Sequence, residues 1–166
     1  MTHDPAGLTT RRVVLDIDLC IDCKSCAAAC YFHHHNMPIV GFGSTPAATL
    51  PVICRQCESP GCVDACPNEA MARDENGVVS RSLFRCTGCM SCVMGCPFGI
   101  ITERLQGNHI PKCDLCEHRL LAGVEPWCVA SCSSGALRLL EPDKAEAAGL
   151  VLLGGRIAGS RPWGRR

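Results

Sequence analysis

A chain of 166 residues suits one compact domain or two fused halves, and its sixteen basic and sixteen acidic side chains cancel, excluding the electrostatic footprint of a nucleic-acid binder. Sixteen cysteines make up close to a tenth of the chain, whereas four Phe, two Trp and one Tyr are too few large side chains for an ordinary core. Such a composition requires disulfides or metals as cross-links.

Residues 1–12 are polar, with Pro5 and Gly7, and read as a loose tail. No apolar run follows Arg11-Arg12, because acids break Val13 to Asp18, and Ala147 to Gly155 is too short to cross a bilayer. The expectation is a cytoplasmic protein with no leader and no membrane insertion. In that compartment thiols stay reduced, and metal ligation outweighs disulfide formation.

Val13 to Asp18 reads as a short strand leading into the first of four cysteine runs, Cys20-x2-Cys23-x2-Cys26-x3-Cys30, where Ala27-Ala28-Ala29 favours a helical turn. Tyr31 to Leu50 follows, holding His33-His34-His35 and a loop from Gly41 to Pro46. Adjacent histidines do not converge on one ion in a helix or a strand. They read as a polar surface or subunit contact, with hydrogen bonding to a nearby metal group as the alternative. The second run is Cys54-x2-Cys57-x4-Cys62-x3-Cys66-Pro67, and Ala70 to Ser82 reads as a hairpin turning at Asn76-Gly77. The third run is Cys86-x2-Cys89-x2-Cys92-x3-Cys96-Pro97, followed by a strand from Phe98 to Thr102. The fourth, Cys113-x2-Cys116-x11-Cys128-x3-Cys132, precedes a strand from Ala136 to Leu140. Asp143 to Leu153 reads as a short helix. Gly154 to Arg166 carries Arg156, Arg161, Arg165 and Arg166 and no acid. It is either a disordered tail or an arm docking on an acidic partner through Leu152, Ile157 and Trp163.

The third run has the bacterial ferredoxin spacing for a [4Fe–4S] cluster: three thiolates grip one cubane and the fourth completes a different one. Zinc sites pair two separated CxxC knuckles and lack the third and fourth cysteines at these spacings. No CxxC here is followed by His, which excludes haem c attachment, and no C-x3-C-x2-C run marks a radical-SAM enzyme. By the cross-over rule the second and third runs pair, with Cys54, Cys57, Cys62 and Cys96 on one cluster and Cys86, Cys89, Cys92 and Cys66 on another. Strand, run, short helix and strand recur four times. The expected fold is therefore α+β, two intertwined bacterial-ferredoxin-like (βαβ)2 units with short strands and helices around four iron–sulfur clusters. It would occupy residues 13–140, with outer runs 20–30 and 113–132 and inner runs 54–66 and 86–96, and run 86–96 in the middle of the wire. Residues 1–12 and 141–166 would flank it as a tail and as a C-terminal helix with a basic docking arm. Each cluster adds a net charge of about −2, so nearby cations such as Lys24, Arg55, Arg85, Lys112 and Arg119 are candidates to offset it. Ile21, Val63, Phe98, Leu115 and Leu137, beside the ligands, would shield the clusters from solvent.

From Val13 to Leu140 the chain resembles the four-cluster electron-transfer subunits of molybdenum and tungsten oxidoreductases, the β subunits of dimethyl sulfoxide reductase and formate dehydrogenase among them. The widened second run and the eleven-residue gap in the fourth carry the resemblance. It implies that the outer runs pair too, placing Cys20, Cys23, Cys26 and Cys132 on one [4Fe–4S] cluster and Cys113, Cys116, Cys128 and Cys30 on another. It also implies four cubanes in line, conducting electrons from a catalytic tungsten or molybdenum subunit to a flavin (FAD) subunit that reduces NAD. An aldehyde oxidoreductase complex is the first expectation. Carbon monoxide dehydrogenase, hydrogenase or formate dehydrogenase complexes follow, and then a free polyferredoxin or assembly factor. With no P-loop and no dinucleotide fingerprint, the subunit itself is expected to be non-catalytic. A linear wire open at both ends could also stack head to tail into a filament.

Overall fold

The computed structural model describes residues 11–34, 41–44, 49–57, 59–101, 103 and 111–154. His35, Thr102 and the basic segment 155–166 lie outside them. The strand expected at the first apolar run is β1 (Arg12–Leu15), and it is the centre of the largest sheet among the described residues. β1 pairs antiparallel with β6 (Leu137–Leu140) on one side and with β7 (Val151–Gly154) on the other. An uninterrupted Val13-Val14-Leu15 run suits a strand covered on both faces, and all three side chains are buried. Val13 and Leu15 pack with Ile53, Leu115, Leu120, Val129, Leu137 and Leu139, and Cys20, Cys26, Cys113 and Cys132 close on that core. The strand stops at Leu15, short of the expected Asp18. The Asp16 carboxylate accepts hydrogen bonds from the Asp18 and Leu19 amides at 3.2 and 3.4 Å, and an Asx turn competes with the ladder.

The cysteine runs lead into short helices: α1 (Ser25–His33), α2 (Gly61–Asp64), α3 (Ser91–Met94), α4 (Glu117–Leu121) and α5 (Trp127–Ala130). α1 packs on α5, and α2 on α3. The predicted hairpin is β4 (Met71–Arg73) with β5 (Val79–Arg81), in register Met71↔Arg81 and Arg73↔Val79. Its turn closes through Asp74, whose carboxylate takes the Val78 amide at 2.7 Å, with Gly77 at φ 79°. A second hairpin joins β2 (Gly41–Ser44) to β3 (Thr49–Val52), where the sequence reads as a loop. Two glycines in four residues carry no strand signal, yet the backbone ladder needs no side chain.

Two expected elements differ. Phe98 to Ile101 forms no strand, because Gly99 turns left-handed at φ 60° and breaks the extended run. The C-terminal helix, α6 (Pro142–Ala147), ends early. Gly149 at φ 67° and the Leu150 amide bonding back to the Ala145 carbonyl at 2.9 Å close it, and the chain returns as β7 beside β1. Leu152 is thereby a sheet residue paired with Val14.

Candidate metal centres

The repeat seen in the spacing returns in the backbone. The residue before the second cysteine of every run is left-handed: Asp22, Gln56, Gly88 and Leu115, with φ between 48° and 68°. Only one is glycine, although the conformation costs a side-chain-bearing residue roughly 1–2 kcal/mol. Lys24 and Met90, just after the second cysteine, are left-handed too. Such curls turn successive amides towards a common point, a concavity suited to an anionic group. Three residues beyond the fourth cysteine, Glu69, Gly99 and Gly135 are again left-handed, each donating its amide to that cysteine's carbonyl at 3.0–3.3 Å. The fourth run makes this turn without proline. After Cys30, where Tyr31 stands, α1 instead continues to His33.

None of the sixteen cysteines forms a disulfide, and cavity linings and mutual electrostatics group them in four neighbourhoods. A hollow is lined by Cys20, Cys23, Cys26 and Cys132, walled by Leu15, Pro51 and Leu137. Another is lined by Cys66, Cys86, Cys89 and Cys92, with Met71 and Arg81 beside them. Burial and the nearby Cys54 and Cys96 push the Cys57 thiol up. Burial takes Cys62 to about 11, opposed by Lys112 and aided by Cys54 and Cys96. Burial likewise raises Cys128 well above the thiol range, and Cys116 and Cys30 add to it. Cys113, raised by burial, also senses Cys30. Neighbourhoods are also linked: the α1 helix of Cys26 packs on the α5 helix of Cys128, and the Cys113 thiol senses Cys54.

Helix packing brings these groups together. Gly61 and Gly95, which precede Cys62 and Cys96, lie so close that a Cβ on Gly61 would stand 2.6 Å from the Gly95 carbonyl oxygen. The outer pair repeats the crossing with serines: Ser131, before Cys132, donates its hydroxyl to the carbonyl of Ser25, before Cys26, at 3.4 Å.

Several hydrogen bonds reach sulfur. The Ala70 and Leu137 amides point at Cys66 and Cys132 at 3.2 and 3.3 Å. Ser25 sits 3.3 Å from the Cys23 sulfur and Ser91 3.5 Å from that of Cys89, and these contacts hold both exposed thiols below their ordinary value. Burial instead favours the neutral thiol at Cys26, Cys57, Cys62, Cys92, Cys113, Cys116 and Cys128, so bound metal must displace protons at those positions.

The expected counter-charges have different fates. Lys24 pairs with Asp22, Arg85 with Glu69, and Arg55 lies over the Phe98 ring at 4.4 Å. Lys112 is buried and donates to the Cys54 sulfur at 3.1 Å and to the Val79 and Cys113 carbonyls at 2.7 and 2.6 Å. Buried Gln56 donates to the same Cys113 carbonyl at 2.9 Å and accepts the Val79 amide at 2.7 Å. Leu115 and Leu137 are buried as expected of shielding residues, whereas Ile21 is 67% exposed. His33 stacks on Trp127 at 3.5 Å, with Arg119 packed over the same indole. His34 Nε2 lies 3.4 Å from the Cys116 sulfur, and His34, Asp114 and Cys116 have ligand atoms within 4.8 Å of one another. His34 therefore matches the hydrogen-bonding alternative beside the fourth run, whereas His33 is exposed and stacks on an indole, as a surface residue can.

Sequence reasoning passed over Ser25, Ser91, Gln56 and Arg81. The serines carried a signal, since both stand directly before the third cysteine of their runs; Arg81, whose neighbours are Cys86 and Cys92, carried none. Sixteen soft thiolates in groups of four, facing amide-lined turns, fit four [4Fe–4S] clusters. No helix among the described residues is long and apolar enough to cross a membrane.

The family described as a 4Fe-4S dicluster domain matches residues 46–141, and one described as a 4Fe-4S binding domain matches residues 17–31. Electron transport protein HydN of Escherichia coli is 32% identical over 165 residues, covering 82% of this chain and 91% of that protein. The thiosulfate reductase electron transfer subunit PhsB of Salmonella typhi is 35% identical over 154 residues, 84% of this chain and 80% of that one. The nitrate-inducible formate dehydrogenase iron-sulfur subunit of E. coli is 32% identical over 152 residues, and the chain spans about half of its length, 52%.

Proposed function

This chain belongs to the 4Fe-4S dicluster domain family of iron–sulfur electron-transfer proteins, and we propose that it conducts electrons along four clusters in a fixed spatial order. The ligand sets we assign are Cys20, Cys23, Cys26 and Cys132; Cys113, Cys116, Cys128 and Cys30; Cys54, Cys57, Cys62 and Cys96; and Cys86, Cys89, Cys92 and Cys66. The four neighbourhoods support this allocation, as do the matched crossings Gly61–Gly95 and Ser25–Ser131. Those crossings also support two ferredoxin-like (βαβ)2 units, the outer runs forming one and the inner runs the other.

The observation that carries the proposal is the chain of contacts between neighbourhoods. Helix α1 with Cys26 packs on α5 with Cys128, Lys112 bridges the Cys54 sulfur and the Cys113 carbonyl, and the inner runs share the α2–α3 crossing. The order is then set 20/23/26/132, set 113/116/128/30, set 54/57/62/96, set 86/89/92/66. Run 86–96, central in the sequence, becomes a terminus of the wire. Both terminal sets hold an exposed cysteine, Cys23 and Cys89, where electrons would enter and leave.

The bound clusters would supply one-electron chemistry; the chain would hold them in sequence and exclude water. As partners we favour a catalytic tungsten aldehyde oxidoreductase subunit and a flavin subunit that reduces NAD, with segment 155–166 as the docking arm. A formate dehydrogenase or hydrogenase complex is the second reading, favoured by the likeness to a formate dehydrogenase iron–sulfur subunit. End-to-end stacking would extend the wire from the same exposed termini. Anaerobic purification with iron and sulfide analysis tests the core of the proposal. About sixteen irons per chain and EPR of interacting [4Fe–4S]⁺ centres are expected, whereas bound zinc or a clearly smaller iron content refutes it.

A further inference from the structure

Lys112 is 8% exposed, and its three ammonium protons have three acceptors: the Cys54 sulfur and the Val79 and Cys113 carbonyls. A buried ammonium needs opposite charge close by. Desolvation opposes its charge, and Cys54, Cys113 and Cys62 offset that burial. Its hydrogen bonds thus span the junction between two ligand sets. Gln56, also buried, bonds the same Cys113 carbonyl and the same residue of β5, but carries no charge.

We infer that Lys112 is a shared counter-charge which raises the reduction potentials of the two middle clusters, those of Cys54 and of Cys113, above what their protein surroundings would otherwise give. This rests on the ligand sets proposed above. Reduction adds one negative charge to a cluster. A fixed cation hydrogen-bonded to a ligand sulfur in a low-dielectric interior therefore stabilises the reduced form more than the oxidised one. One ammonium placed between two clusters acts on both. The middle of the wire becomes a shallow electron well. Gln56 holds the Cys113 carbonyl in place, so that the ammonium keeps its position when either cluster changes charge.

The test uses the cluster-loaded full chain as wild type, K112M, K112Q, K112R and Q56L, with iron content measured before EPR-monitored redox titration. In K112M the reduced-to-oxidised ratio at a fixed poise should fall about tenfold for two clusters, about 59 mV for a one-electron couple. The other two clusters should move less than threefold. K112Q, which keeps a hydrogen-bond donor but no charge, should behave as K112M. K112R and Q56L should stay within threefold of wild type at all four. Unchanged midpoints in loaded K112M or K112Q, a shift confined to one cluster, or an equal shift of all four would overturn the inference. If neither neutral variant loads, loading of K112R supports the counter-charge; failure of all three Lys112 variants beside a loaded Q56L assigns Lys112 to packing and overturns it. A wild-type chain with fewer than sixteen irons would refute the four-cluster reading instead, so the two failures are distinguishable.

Discussion

Replacing Gly61 with alanine should release one cluster while leaving the rest of the wire loaded. The new Cβ would lie 2.6 Å from the Gly95 carbonyl oxygen, so α2 and α3 must separate by about 0.8 Å to reach the 3.4 Å of an ordinary contact. The obstacle is backbone, which cannot rotate aside as a flexible side chain would. Alanine favours the helix by up to about 1 kcal/mol, whereas overpacking costs about 1–3 kcal/mol, and the absence of a yielding neighbour puts the balance on the side of destabilisation. The functional effect is sharper. Gly61 precedes Cys62 and Gly95 precedes Cys96, two ligands of one assigned set, and metal–ligand distances tolerate deviations of only about 0.2 Å. Anaerobically purified G61A should therefore carry roughly four irons fewer than wild type and lack one of the four EPR components. G135A is the control: Gly135 sits at φ 67° with nothing within 4 Å of an added Cβ, so the cost is conformational, about 1–2 kcal/mol, with iron retained. A fully loaded G61A with a wild-type spectrum would show that the Gly–Gly crossing does not position those ligands.

Further outcomes follow from the same geometry. Burial and the Asp74 carboxyl hold Glu117 above the usual carboxylate range; its folded form binds a proton more tightly than the unfolded one. Its contribution is thus fully present below that range and lost as pH rises through the raised value, so the melting-temperature gain of E117Q should grow from pH 5 to pH 7.5. A gain independent of pH would contradict this. Removing iron with a chelator should collapse the β6–β1–β7 sheet, because Cys20, Cys26, Cys113 and Cys132 close its hydrophobic core; unchanged far-ultraviolet circular dichroism would contradict that.

Local chemistry was readable because it is encoded in spacing. A loop of two residues between cysteines leaves the chain few ways to bring thiols onto one group, so C-x2-C-x2-C-x3-C announces its cofactor whatever surrounds it. The β4–β5 hairpin was legible for a similar reason, with Asn76-Gly77 between short apolar strands. Glycine positions were the weaker guide. Gly41 and Gly43 concealed β2, Gly99 broke an expected strand, and Gly149 ended α6 early so that β7 could join β1.

The sequence by itself determined the nature of the clusters and their number, since cysteine count and spacing are properties of neighbours along the chain. The tertiary structure alone decided what lies between the clusters. Lys112 and Gln56 are 56 positions apart in the numbering yet converge on one carbonyl of Cys113, and Gly61 meets Gly95 across two helices of four residues each. Such junctions depend on how separate runs pack, and no local pattern records it. For the same reason run 86–96, near the middle of the sequence, is assigned to one end of the wire.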